Sequence, residues 1–115
     1  MTEPWRGAAV RRPCRADGTV ERRYEPHHMP GSGITNWRDS LKMTTAAREA
    51  AFARAYAQNP EAALRATSWG GPQIMGFNHA AAGYPSARDM VEAMAGREQA
   101  HLDAFLTLIS GWGLI

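Results

Sequence analysis

Ala66-Thr67-Ser68-Trp69-Gly70-Gly71-Pro72-Gln73-Ile74-Met75-Gly76-Phe77-Asn78 is the stretch whose reading decides the fold. From Ser68 to Gly76 it is too rich in glycine and proline for a long regular helix. The residues admit two readings. In one, the stretch turns the chain between helices and places Trp69 and Ile74 in the core, which composition alone favours. In the other it is a ligand-binding loop. Its glycines let the backbone approach a ligand closely. Trp69 then stacks on a sugar face, and Gln73 and Asn78 hydrogen-bond hydroxyl or acetamido groups.

The flanking sequence is mainly helical. Thr44 or Thr45 caps a helix running through Gln58, with Ala47, Ala51, Phe52, Ala55 and Tyr56 on its apolar side. Pro60 starts a short helix, Glu61 to Ala66, from a favourable first-turn position. Asn78 to Ala82 forms one turn. Ser86 caps a long helix from Ala87 to about Ser110, with Met90, Val91, Met94, Leu102, Phe105, Leu106 and Ile109 as its apolar stripe. Glu98 lies on that stripe, which predicts a partly buried structural carboxylate that must be paired or protonated.

Towards the start, Asp17-Gly18 is a turn dipeptide, and Thr19 to Tyr24 reads as a short strand ended by Pro26. Val20 and Tyr24 share one side of it. Pro30 to Gly33 is a loop. Residues 1–18 read as an irregular Arg-rich arm, and 19–115 as a single domain. The expected class is mainly α, with a short strand or extended segment near residues 19–25.

Charge and composition narrow the function classes. The 115 residues carry a formal net charge of +2, and Arg supplies twelve of the thirteen basic side chains. That excess is too mild to argue for nucleic acid, although a distant alternative is nucleic-acid binding through the Arg-rich arm. It also suits an anionic polymer. No apolar run approaches the ~20 residues of a membrane span. The start lacks the apolar core of a secretory signal, so a cytoplasmic location is expected, with delivery or release needed to reach any external substrate. Cys14 is the only cysteine, which excludes an internal disulfide.

The stretch resembles the Ser-Trp-Gly-x-x-Gln-Ile-Met-Gly-x-Asn signature of phage and bacterial N-acetylmuramidases. It is also similar to the Gly-Leu-Met-Gln-Ile element of goose-type lysozymes and lytic transglycosylases. Tyr24-Glu25-Pro26-His27, Ala62-Ala63-Leu64-Arg65, Gly83-Tyr84-Pro85-Ser86 and the following Met94, Glu98, Leu102, Ala104 and Phe105 extend the resemblance over about Asp17 to Leu114. The resemblance implies a lysozyme-like helical fold and a peptidoglycan hydrolase of endolysin type. Such an enzyme cleaves the β-1,4 bond between N-acetylmuramic acid and N-acetylglucosamine. A protonated carboxyl acts on the glycosidic oxygen, and a second group handles the oxocarbenium-like centre. Peptidoglycan glycan strands are the implied partner, with Ser68, Trp69, Gln73, Asn78 and His27 as binding residues. No cofactor and no metal are implied. Oligomeric state is not encoded in any feature of the sequence.

The sequence also departs from that pattern. Relatives carry their catalytic Glu upstream of the Asp-Gly turn in a Glu-Ser-Gly-like string, and continue into a Tyr-Asn-Gly-containing segment. Here only Met1 to Ala16 precede the turn, and Ile115 is the last residue, so the chain is expected to be shorter than the family at both ends. Glu25 and Glu3 are the candidate catalytic carboxyls. For Glu25 the competing reading is a salt bridge to one of the arginines. Two alternatives to an active enzyme stay open: an inactive remnant and a peptidoglycan-binding module. His27 and His28 are adjacent, point to opposite sides of an extended chain, and cannot readily chelate one ion. His79 and His101 lack ligand spacing.

Overall fold

Short polar side chains set the helix starts. In a computed structural model, which describes residues 20–95 and 97–113, Asn36 accepts from Asp39 N and opens α1, Trp37–Leu41. Thr44 accepts from Ala47 N and opens α2, Thr45–Gln58. Asn59 accepts from Ala62 N and opens α3, Pro60–Arg65, while its own N–H closes α2 on Ala55 O. Ser86 accepts from Asp89 N at the start of α4, Ala87–Met94. Each cap satisfies an N–H that the helix itself leaves without a partner. The expected helix through Gln58 and the Pro60 start are therefore where local chemistry places them. Helix α1 was not anticipated, although Asn36-x-x-Asp39 is a cap signal.

The expected single helix from Ala87 to Ser110 is two helices. Helix α4 ends at Met94, Ala95 turns to extended backbone (φ −64°, ψ 119°), and α5 runs Glu98–Gly111. This break resets the helical phase. Helix α5 buries Ala100, His101, Ala104 and Leu108, and leaves Leu102, Phe105 and Leu106 exposed. The apolar stripe predicted through the break thus holds for Met90, Val91 and Met94 alone of its larger members before the break. Glu98 is corrected with it. The residue is exposed in the first turn of α5, where a carboxylate complements the helix dipole, and it is not a buried carboxylate.

The strands form one small antiparallel sheet in the order β1-β2-β3: β1 Arg22–Tyr24, β2 Thr67–Trp69 and β3 Ile74–Met75. Tyr24 faces Thr67 and Arg22 faces Trp69, while Trp69 faces Ile74 across the next ladder. The signature stretch is thus a hairpin, with its Gly-Gly-Pro-Gln turn between β2 and β3. Val20 and Tyr24 are both buried, as their shared parity predicts. Tyr24, Phe52 and Trp69 meet edge-on at the centre, with ring centroids 5.8 Å apart for Tyr24–Phe52 and 6.3 Å for Phe52–Trp69. Leu64, Met90, Val91 and Met94 close over them. The molecule is mainly helical with this one sheet, the class expected. No described helix is long and apolar enough to cross a membrane. The arm at 1–18, the Asp17-Gly18 turn, Cys14 and Glu3 lie outside the described residues.

Candidate functional site

Glu25 follows β1 directly, and its N–H extends the β1–β2 ladder to Ala66 O (2.8 Å). Backbone pairing therefore fixes where its carboxylate points. Oε1 accepts from Ser40 Oγ (3.1 Å) and from Arg48 Nη1 (3.2 Å), and Oε2 accepts from Arg23 Nε (3.2 Å). Arg48 also donates to Tyr24 O (2.7 Å), to Ser40 Oγ (3.0 Å) and to Ser40 O. It is a buried cation whose charge is compensated by one carboxylate and two backbone carbonyls. Burial pulls its pKa down, the nearby Arg23 adds to that, and Glu25 opposes both. Arg48 and Ser40 are residues that sequence reasoning missed. Their positions on α2 and α1 bring them to Glu25 only through the tertiary fold.

A carboxylate so placed is an acceptor. Both oxygens face N–H or O–H donors, two of them guanidinium, which is the arrangement of an ionised group. It can stabilise a developing positive centre or orient a water.

The signature residues divide between holding the hairpin and facing solvent. Trp69 is fully buried, and its Nε1 donates to Leu64 O (2.9 Å). This corrects the expectation of a sugar-stacking tryptophan: its ring fills the core and has no free face. Ser68 is buried and donates to Gln73 Oε1 (2.7 Å), while Gln73 Nε2 donates to Gly70 O (2.9 Å). Gln73 adopts φ +57°, uncommon for a residue with a Cβ, and its amide clamps the turn in that conformation. Ser68 is therefore buried and committed to the turn, whereas Gln73, although bonded to Ser68 and Gly70, is exposed and keeps one amide donor and one acceptor position unused by these bonds. His101 holds the same turn from α5. Gly71 N donates to its Nδ1 (3.1 Å), and Nε2 lies 2.9 Å from Met94 O, so the proton belongs on Nε2.

Asn78 is half-buried at the end of a single 3-10 turn, Gly76–Asn78, and Phe77 on the same turn is exposed. A second 3-10 turn, Pro26–His28, carries both histidines. The extended geometry expected for them is corrected here, because Pro26 at the first position favours the helical turn. The two rings lie side by side, 4.2 Å between centroids, and His28 packs on Phe77 at 5.0 Å. His27 Nδ1 is buried and has no hydrogen-bond partner among the described residues. Beside this ladder lies a groove of about 350 Å³, lined by His28, Pro30, Asn59, Glu61, Ala62, Arg65 and Phe77. His27, His28 and Phe77 thus form one row, with Glu25 just before it and Asn78 just after it in the chain, and Trp69 takes no part in it.

Partial burial, reinforced by the neighbouring His27, lowers the His28 pKa, while Glu25 opposes the shift. The unfolded chain therefore binds this proton more readily than the folded one. The stability His28 contributes is complete above its unfolded pKa of about 6.5 and declines as pH falls below it. Urea midpoints at pH 7 and pH 5 should differ less in His28→Gln than in the parent chain. An identical difference in both would remove His28 from the acid sensitivity.

Among the described residues no group of three or more His, Cys, Asp or Glu is placed to hold a metal ion. A family model described as N-acetylmuramidase matches residues 9–114. No curated protein sequence matches. Among solved structures the chain is similar to the crystal structure of a Burkholderia AP3 phage endolysin, at 34% identity and a TM-score of 0.64. The match covers 84% of this chain and 41% of the endolysin chain, so the present chain spans about two fifths of that protein. Matched by that family model over nearly its whole length, the chain belongs to the N-acetylmuramidase family.

Proposed function

We propose that this chain acts on peptidoglycan as an N-acetylmuramidase, cleaving the β-1,4 bond between N-acetylmuramic acid and N-acetylglucosamine, with Glu25 as the ionised carboxylate of the reaction. The observation that carries the reading is the Glu25 constellation: a carboxylate fixed by backbone pairing to Ala66, just before the signature hairpin, and held by Arg23, Ser40 and Arg48. A glycosidase of this kind needs one group to protonate the leaving oxygen and another to meet the oxocarbenium-like centre. Glu25 suits the second task. Its described partners include no acid, so the proton donor lies outside this constellation. Glu3 is retained as the candidate for that task. His27, with its unpartnered Nδ1, and Asn78 are proposed to contact the glycan.

The second reading is glycan binding without cleavage. The guanidinium pairing of Glu25 favours it, because it removes this residue as the proton donor. Clearing of a turbid suspension of purified walls separates the two. The expected result is clearing by the parent chain, with a loss of about a hundredfold or more in Glu25→Gln. Undiminished clearing by that variant would exclude Glu25 as an essential group. Glu3→Gln in the same assay tests the donor. Wall binding with no clearing selects the second reading, and salt-sensitive DNA binding without wall binding would sink both.

A further inference from the structure

Phe77 is 47% exposed, although it follows a buried glycine in the most constrained part of the chain. Its backbone cannot retreat inward, because Gly76 lies directly against the Leu64 carbonyl at the end of α3. An exposed aromatic ring held in place by a rigid support is a ready contact surface. His28 packs on it at 5.0 Å with the planes inclined by 58°, and His27 backs His28 at 4.2 Å. The resulting platform is aromatic and stepped.

We propose that Phe77 and His28 form the stacking platform of a sugar subsite, with Arg65 placed for the lactyl carboxylate of an N-acetylmuramic residue that bears no stem peptide. The inference rests on the reading of the chain as acting on peptidoglycan, and names the part of the molecule that grips the strand. The groove beside the platform combines apolar residues, Pro30, Ala62 and Phe77, with polar ones, Asn59, Glu61 and Arg65, a mixture that suits a pyranose. Such a ring has an apolar C–H face for an aromatic side chain and equatorial polar groups for hydrogen bonds. Its volume of about 350 Å³ lies at the small end of ligand pockets.

The polar residues are pre-set. Asn59 Oδ1 is occupied by Ala62 N (3.1 Å), which fixes the amide and leaves Nδ2 as its donor side. Arg65 Nε donates to Glu61 Oε2 (3.1 Å), and that carboxylate is itself anchored by Ala87 N (2.8 Å) and Arg88 N (3.3 Å). The guanidinium is thereby held at the groove rather than left to wander through its rotamers. An oriented guanidinium at a half-exposed position matches a carboxylate ligand. Glu25 caps the start of the turn that carries His28, so the platform and the carboxylate of the site already described are joined by a short, regular piece of backbone.

Titration of the full chain by two-dimensional NMR tests this, with N-acetylglucosamine tetramer as the neutral probe and a soluble glycan fragment containing N-acetylmuramic acid as the charged one. Resonances of Phe77 and His28 are expected to move with both. Phe77→Ala should weaken both by about tenfold. Arg65→Gln should weaken only the muramic-acid probe, by up to about fivefold. Both changes are at exposed positions, and unchanged urea midpoints would show that the fold is retained. Absence of shifts at Phe77 and His28, or Phe77→Ala binding like the parent, overturns the subsite. Equal weakening of both probes by Arg65→Gln overturns the assignment of Arg65. Wall clearing by a chain that shows no shifts at the platform would reject the subsite alone. Shifts at the platform without clearing would reject the hydrolytic reading alone.

Discussion

Gly76→Ala is expected to lower stability by about 3 kcal/mol or more, at the upper end of what overpacking does. A Cβ at this position would lie 2.0 Å from Leu64 O and 2.7 Å from both Leu64 C and Arg65 Cα. These are backbone atoms, so no side-chain rotation relieves the clash. The Leu64 carbonyl also accepts the Trp69 indole N–H. Pushing it aside therefore breaks a buried hydrogen bond in addition to moving α3. Set against a total stability of ~5–15 kcal/mol for a typical domain, this one methyl group consumes a large fraction. A fall in the urea midpoint with an unchanged slope is the measurement. Gly71→Ala is the control, since nothing lies within 4 Å of its added Cβ. Its effect should stay within about 0.5 kcal/mol. Comparable midpoints for the two variants would contradict the close approach of the hairpin to α3.

The second large effect is at Arg48. Arg48→Met keeps most of the side-chain volume and removes the donors. Tyr24 O, Ser40 O and the Glu25 carboxylate then lose their shared partner in a site where Ser40 and Tyr24 are almost fully buried. Breaking a buried pair from one side is expected to destabilise by about 3–5 kcal/mol. Much of that comes from the charge left behind, so the double variant with Glu25→Gln should be less damaged than the sum of the two single changes. Strict additivity of the urea midpoints would mean that Arg48 and Glu25 do not act on each other. The same variants connect stability to function: if Arg48 holds Glu25 in its working position, partial recovery of the fold in the double variant should bring no recovery of wall clearing.

What could be read from the sequence was local. Thr44 and Ser86 announce helix starts because a hydroxyl three residues before a free N–H is a short-range signal. Val20 and Tyr24 announce a buried strand face because alternation needs only neighbours. The break between α4 and α5 is not local. Apolar residues continue at helical spacing on both sides of Ala95, and only the seating of His101 against the hairpin decides which face of α5 turns inward. Glu98 was misplaced for the same reason. Arg48 was hidden because periodicity counts an arginine as solvent-facing, although it stands four residues before Phe52 and eight before Tyr56 on the buried side of α2. Trp69 shows the converse. Composition favoured a core position, and the family signature drew attention to it as a contact residue. The large apolar residue of that signature that does face solvent, Phe77, occupies a position the motif leaves unspecified.

Asn59 ends one helix and begins the next, and that has a consequence for the order in which the chain assembles. Helices α2 and α3 share this residue and pack against each other, so they can form a hairpin of helices using contacts close in sequence. Strand β1 is in the opposite situation. Tyr24 must find Thr67, closing a loop that contains α1, α2 and α3. The helical pair is the natural early structure, and the sheet that fixes the Glu25 carboxylate is completed only when the distant strand docks. The part of the molecule proposed to carry its chemistry is thus a part whose formation waits on a long search.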